Sequence, residues 1–283
     1  MFDPSKKEFY LKYIKENFGK ISQREMARSL DIGKTTVNHL CKHYLGLKVA
    51  KPSANDRFFR KWTPEMGYTL GYIAADGNIC WNSNPKKAYH SLTITAAEKD
   101  KSHLERIRAI LNSSKELLYS PKTKSYRLIV ANKTVCLDLM KLGIKPRKSL
   151  TIKFPKVPKK FLRDFIRGVI DGDGSVRYLD RERSPYFEVQ IYSGSEKFIK
   201  ELKRKIYSIL KINSPIKELH KNTYGLRYTC QRGIQLANWI YYQRNFYLER
   251  KFQQFKLALF KNKNYENIPN IRICNSGARR QNL

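Results

Sequence analysis

Apolar positions in residues 1–45 recur at helical spacing in three stretches. Phe9, Tyr10, Tyr13, Ile14 and Phe18 predict a helix from about Lys6 to Phe18, and Gly19 then interrupts the pattern. Ser22, with Glu25 three residues later, forms a capping box that opens a second helix holding Met26, Ala27 and Leu30 on one face. Asp31-Ile32-Gly33 reads as a turn. A third helix runs from Lys34 to Leu45 with Val37, Leu40 and Tyr44 inward. Its outward side presents Lys34, Thr35, Thr36, Asn38 and His39. The periodicity then stops. Residues 46–62, with Lys48, Lys51, Pro52, Ser53, Arg57, Arg60 and Lys61, read as a basic linker, either a tether along phosphates or a solvated spacer.

From Thr63 the pattern repeats. An apolar run Leu70-Gly71-Tyr72-Ile73-Ala74-Ala75-Asp76-Gly77 has a counterpart in Ile166-Arg167-Gly168-Val169-Ile170-Asp171-Gly172-Asp173-Gly174. Asp76 and Asp173 lie 97 residues apart (173 − 76), a period too long for a solenoid and suited to two copies of one domain. Alternating strands follow at His90–Thr95 and Phe187–Tyr192, then helices at Lys101–Leu111 and Glu196–Leu210. Hairpins follow at Glu116–Val130 and Ile216–Cys230, and last helices at Thr134–Leu142 and Gly233–Tyr242. Each copy reads αββαββα. The expected fold class is α+β: two pseudo-symmetric domains with antiparallel sheets, preceded by a small three-helix domain. The expected boundaries are 1–45 for the helical module, 46–62 for the linker, 63–155 and 156–262 for the two copies, and 263–283 for a flexible tail.

Charge narrows the partners. Lys and Arg total 57 against 24 Asp and Glu, a formal net charge of +33 spread over every segment. A compact protein repels itself at that charge unless it meets a polyanion, so nucleic acid is the expected partner. An anionic membrane surface ranks lower, because the basic residues alternate with polar and aromatic ones on strand-like segments. No apolar run is long enough to cross a bilayer, and Met1–Lys6 lacks the apolar core of a signal peptide. The five cysteines Cys41, Cys80, Cys136, Cys230 and Cys274 are odd in number and widely spaced. They predict reduced thiols and an intracellular location, in cytoplasm, nucleoid or an organelle matrix, rather than secretion.

The repeated segment carries the chemistry. An apolar helix seldom ends in a carboxylate, because the helix dipole already places negative charge there. Gly inside a helix costs about 1 kcal/mol relative to Ala, so Gly71 and Gly168 at matching positions predict close contact between the two helices. Side-by-side packing would bring Asp76 and Asp173 together at one end, with Gly77 and Gly174 supplying the helix-ending conformation. Two carboxylates and two negative dipole ends call for a cation, and hard oxygen ligands select Mg²⁺ or a similar ion such as Mn²⁺. On a basic double-sheet surface the natural substrate is a phosphodiester.

These segments resemble the signature of the LAGLIDADG homing endonucleases in their single-chain, two-motif form, over about Thr63 to Leu259. The second copy matches closely from Gly168 to Gly174. The first departs at Ala74, where many members carry Asp. The resemblance implies catalysis by Asp76 and Asp173, metal contacts from the backbone carbonyls of Ala75 and Gly172, and basic catalytic residues at Lys148 and Lys251, with polar residues such as Glu98 and Ser195 ordering water. It also implies sheets that saddle the major groove of a long double-stranded DNA site. Lys124, Arg127, Gln190, Tyr192, Lys217, Arg227 and Tyr228 are then the expected DNA contacts. The first 45 residues resemble a helix-turn-helix module, with Ala27, Ile32 and Val37 at its usual apolar positions, Asp31 where Gly is usual, and Gly33 in place of a polar cap. The alternative for this segment is a plain three-helix bundle.

Other motifs are weaker. Asp171-x-Asp173-x-Ser175 with Glu182 mimics a calcium loop but has Val176 where Gly is required. Gly33-Lys34-Thr35 mimics a phosphate loop but has Arg28 in place of its first Gly. His39, Cys41 and His43 lack a second ligand pair for zinc. The sequence therefore predicts a monomeric, metal-dependent, site-specific DNA endonuclease. A maturase that acts on intron RNA, or a non-cleaving transcription regulator, would use the same scaffold.

Overall fold

The computed structural model describes residues 4–18, 20–21, 23–47, 54–82, 89–179, 186–244 and 246–261. Ser22 of the capping box, Gly19, the linker residues Lys48, Lys51, Pro52 and Ser53, Glu182, Cys274 and the tail 263–283 lie outside the described residues. The chain divides into two compact units, Met1–Lys51 and Pro52–Leu283.

The first unit holds helices α1 (Pro4–Asn17), α2 (Gln23–Ser29) and α3 (Lys34–His43). Ile14, Met26, Ala27, Leu30, Val37, Leu40 and Cys41 form its own core. Asp31 adopts the left-handed turn conformation at φ 50°, which Asp tolerates better than most residues. Lys34, Thr35, Asn38 and His39 are exposed on α3, and Thr36 is half-buried.

The second unit opens with part of the segment expected to be a linker. Residues 54–62 instead pack on the core: Phe59 is buried, Trp62 stacks on Phe161, and Arg60 pairs with Asp138 at 2.8 Å. Three aromatic rings among the basic residues give this stretch an apolar side that the charge pattern concealed. Helix α4 (Pro64–Asp76) follows, capped by Thr63, whose Oγ1 accepts the Met66 N–H at 3.1 Å. Strands β1 (Gly77–Asn82) and β2 (Tyr89–Ala97), helix α5 (Lys101–Ile110), strands β3 (Leu118–Ser120) and β4 (Ser125–Val130), and helix α6 (Lys133–Lys141) complete the first copy.

The second copy repeats this order with α7 (Leu162–Asp173), β5 (Ser175–Leu179), β6 (Tyr186–Ser193), α8 (Glu196–Leu210), β7 (Lys217–His220), β8 (Thr223–Thr229) and α9 (Cys230–Tyr241). It adds α10 (Glu249–Lys261), a helix without a counterpart among the described residues of the first copy. Each sheet is antiparallel, in the orders β1-β2-β4-β3 and β5-β6-β8-β7. The strands that follow each aspartate directly, β1 and β5, had no separate signal in the sequence.

Alternation assigns the faces. Leu92, Ile94, Leu128 and Val130 in the first sheet, and Phe187, Val189, Ile191 and Leu226 in the second, point into one continuous core. The opposite faces carry Thr93, Thr95 and Arg127, and Gln190, Tyr192 and Arg227. α4 and α7 run through the middle of that core, buried along nearly their whole lengths. A helix buried all round is expected to be apolar or small all round, which α4 nearly is; α7 instead also buries Asp164, Arg167 and Asp171, with Arg167 paired to Asp164 at 2.8 Å.

Candidate active site

The seam between α4 and α7 is built from small residues. A Cβ added at Gly71 would stand 2.0 Å from the Phe165 carbonyl oxygen, and one at Gly168 would stand 2.1 Å from that of Tyr68. Backbone therefore packs on backbone, as the matching glycines predicted. Gly172 extends the seam, since a Cβ there would lie 2.4 Å from the Ala75 Cβ and 3.3 Å from Asp76 Oδ2. Gly67, four residues before Gly71, also faces α7, with Phe161 O at 3.3 Å from an added Cβ. The spacing Gly67, Gly71, Ala75 is a helical ridge of small residues that sequence reading could have extracted.

Gly77 and Gly174 differ from expectation. Both are extended (φ −83° and −92°), not left-handed caps. Their lack of a side chain is required by crowding: a Cβ at Gly174 would lie 2.5 Å from Ile170 O and 2.9 Å from Gln190 O.

The seam delivers Asp76 and Asp173 to one end of the helix pair. Burial, and then the negative charge of Asp173, raises the Asp76 carboxyl to about 6. Lys251, Lys148 and a hydrogen bond with Tyr72 pull it back. Burial likewise raises Asp173, against the pull of Lys148 and Lys251. Each acid thus feels both lysines, and the four groups form one cluster.

Neither lysine is a surface group reaching for phosphate. Lys148 is 6% exposed and Lys251 3%. Lys148 Nζ donates to the Ala75 carbonyl at 3.0 Å. Lys251 Nζ donates to the carbonyls of Ile170 (2.7 Å), Asp171 (2.8 Å) and Gly174 (2.6 Å), with Gly172 at 3.4 Å. Each ammonium sits at the negative end of its own copy's motif helix. Burial lowers both lysines, Lys251 to about 8. The supports differ: Lys148 follows a turn in which Arg147 is left-handed (φ 53°), whereas Lys251 is on α10.

Asp171 secures α10. Fully buried, it accepts hydrogen bonds from Tyr68 OH (2.8 Å), Tyr241 OH (3.0 Å) and the Leu248 N–H (2.8 Å), just before α10 begins. Burial raises its carboxyl. Ala74 occupies the corresponding place in α4.

The donor set suits a hard divalent cation. It is made only of oxygen, from the two carboxylates and the carbonyls of Ala75 and Gly172, each of which has a second lone pair beyond its lysine contact. No group of three or more His, Cys, Asp or Glu side chains arranged for a metal occurs among the described residues.

Of the other residues expected at this site, Ser195 is absorbed by structure. Its Oγ donates to Ile152 O at 2.7 Å and caps α8. Glu98 is exposed and hydrogen-bonded to Tyr119.

Arg127, Gln190, Tyr192, Lys217 and Arg227 lie on the outer sheet faces, and Lys124 is exposed at a left-handed hairpin position (φ 44°). Gln190, Tyr192, Lys217, Leu219 and Arg227 line a shallow hollow of about 310 Å³. Tyr228 is the exception. It pairs with Val189 on the inner face and is 0% exposed, so it belongs to the core and not to a DNA surface. A one-residue step along a strand reverses the face. Sequence reading missed Arg177 and Glu188, which flank Arg227 on the outer face. Burial would raise the Glu188 carboxyl, but hydrogen bonds from Arg227 and Arg177 hold it below the usual range.

Comparison with known proteins agrees with this architecture. Residues 160–250 match the family model of the LAGLIDADG-like domain. A double mutant of I-SmaMI superposes with a TM-score of 0.53 at 16% identity, covering 73% of this chain and 94% of that one. The meganuclease I-SmaMI bound to uncleaveable DNA with a TTGT central four superposes with a TM-score of 0.51 at 14% identity, covering 73% and 92%. A probable translation initiation factor IF-2 of Methanocaldococcus jannaschii is 28% identical over 156 residues, 49% of this chain but 13% of that protein's length.

Proposed function

We propose that this chain, with a LAGLIDADG-like domain at residues 160–250 and the two-domain LAGLIDADG endonuclease fold, is a site-specific double-strand DNA endonuclease that hydrolyses phosphodiesters with a divalent metal. The observation that carries the reading is the pair of aspartates, Asp76 half-buried and Asp173 exposed, at the ends of two glycine-seamed helices, each helix end capped by a buried lysine. Two acids side by side at the negative ends of two helices, with two buried amines behind them, form the kind of perturbed charge cluster that marks a functional site.

In this reading Asp76 and Asp173, with the carbonyls of Ala75 and Gly172, hold Mg²⁺ or Mn²⁺. When bound, the ion supplies an acidified water and charge stabilisation at the phosphate. Lys148 and Lys251, held at the two helix ends, stabilise negative charge that develops beside the aspartates, and burial lowers the affinity of both for the proton, Lys251 to about 8. The two outer sheet faces lie along the major groove, with Arg127, Gln190, Tyr192, Lys217 and Arg227 among the contacts. Two copies in one chain make a monomer sufficient for both strands. Helix α3, through Lys34, Thr35, Thr36, Asn38 and His39, adds contacts to flanking DNA as a helix-turn-helix module. The free thiols fit an intracellular site of action.

The test is cleavage of a duplex site selected from a random library, with Mg²⁺ or EDTA, beside Asp76→Asn and Asp173→Asn. The reading requires both variants to bind the site and neither to make a double-strand cut. Full cutting by the double variant would sink the mechanism. Binding without cutting by the unmodified chain would favour a regulator, and splicing of an intron RNA in a parallel assay would favour a maturase.

A further inference from the structure

The outer face of the second sheet carries a charged group that the aspartate site does not use. Arg177 on β5 stands opposite Glu188 on β6, and Arg227 on β8 stands opposite Gln190, two positions along β6. The Glu188 side chain is 0% exposed, while those of Arg177 and Arg227 are 51% and 56% exposed. One Glu188 oxygen accepts from Arg177 Nη2 and the other from Arg227 Nε, the latter at 2.7 Å. The Arg227 guanidinium also lies over the Tyr186 ring at 5.6 Å.

The fold does not demand this triad. The corresponding places in the first sheet hold Cys80 opposite Ser91, and Ile129 opposite Thr93. That sheet forms with the same strand order without any ion pair there. A buried carboxylate is also a poor stability device, because burial costs the charge its hydration. What it does well is geometric. It fixes two long side chains that would otherwise sample many rotamers on an open surface. The bond to Arg227 uses Nε, so the paired terminal nitrogens keep their donors. A guanidinium held this way matches the O6 and N7 acceptors of guanine in the major groove.

We infer that Glu188 is a specificity-positioning residue: it holds Arg177 and Arg227 in place to read guanine in the half-site that faces the second sheet. The inference rests on the DNA-binding reading above and adds which base class this half reads and through what. The first sheet, with no such triad, reads its half-site through Arg127 and neutral groups such as Thr93 and Thr95.

The experiment compares the full chain with Glu188→Gln on the duplex selected by the unmodified chain and on random duplex. The expected result is a preference for the selected site reduced about 10-fold or more. Affinity for random duplex should hold or rise, because the variant gains one positive charge. A merely structural role would lower both together. As a second measurement, each guanine of that half-site is replaced by 7-deazaguanine, which lacks the N7 acceptor. The unmodified chain should lose about 10-fold at one or two positions, and Arg227→Ala should lose nothing further at its own position. This measurement stands even if Glu188→Gln does not fold. Equal discrimination by a folded Glu188→Gln, or cleavage indifferent to 7-deazaguanine throughout that half-site, would overturn the inference and leave the endonuclease reading intact. A chain that prefers no duplex site would overturn both.

Discussion

The two copies end the same helix in the same acid and then support it differently. In the second, Asp171 anchors the start of α10, and α10 carries Lys251 onto four helix-end carbonyls. In the first, Ala74 offers no such anchor, and Lys148 reaches a single carbonyl from a tight turn. The sheets diverge in the same sense: charged and latched in the second copy, mostly small and neutral in the first. A duplicated scaffold conserves what the shared centre needs from both halves, the seam and the terminal acid. On the proposed endonuclease function, it is free to differ where each half would meet its own half-site. The half built around Asp76 is accordingly the one expected to cut its strand more slowly.

The largest test of this comparison is at the acids. Asp76→Asn and Asp173→Asn should each reduce double-strand cleavage by at least about 10³-fold, roughly 4 kcal/mol of barrier. In supercoiled plasmid each should leave nicking of one strand, and single-turnover nicking rates for the two variants rank the two halves directly. If both variants nick equally fast, the asymmetry of support has no kinetic consequence.

The seam should be symmetric where the supports are not. Gly71→Ala and Gly168→Ala each drive a methyl group into a backbone carbonyl and should each destabilise the fold by about 3 kcal/mol. Denaturant midpoints measure this, and a much smaller effect at one glycine would mean that the two helices do not share the contact equally. Asp171→Ala should cost about 2–3 kcal/mol, because Tyr68 OH, Tyr241 OH and the Leu248 N–H lose a buried acceptor together. Ala74→Asp should not restore a matching gain in the first copy, and a stabilised variant would show that the difference at this position is incidental.

The smallest effect is in pH. Asp76 is held at about 6, above its ordinary value of 3.8, so the metal-free fold binds this proton more tightly than the unfolded chain does. That contribution to stability is present at low pH and is lost as pH rises through about 6. A cation must displace the same proton, so Mg²⁺ should raise the melting temperature more at about pH 7 than at about pH 5, and apparent metal affinity should fall up to about tenfold per pH unit below 6. Asp76→Asn should flatten this dependence. Persistence of the slope in that variant would assign the titration to Asp173 instead.

Local pattern was enough for much of this molecule. The duplication, α8, the alternating strands, the glycine contacts and the two terminal acids were all legible, because a helix seam and a strand face depend on residues two to four positions apart. The left-handed turn at Asp31 was legible for the same reason. Long-range pairing was not. Residues 54–62 looked like a solvated spacer until Phe59 and Trp62 found the core of the second unit. Tyr228 looked like a surface residue until its register with Val189 put it inside. A lysine-rich sequence could not say by its own pattern which two ammonium groups are buried at the helix ends, nor that Glu188 would sit between two arginines from neighbouring strands. Those facts are set by which strands pair and in what register, and by where a loop returns. The chain's own periodicity determined the elements and the acids, and only the tertiary structure decided which charges meet.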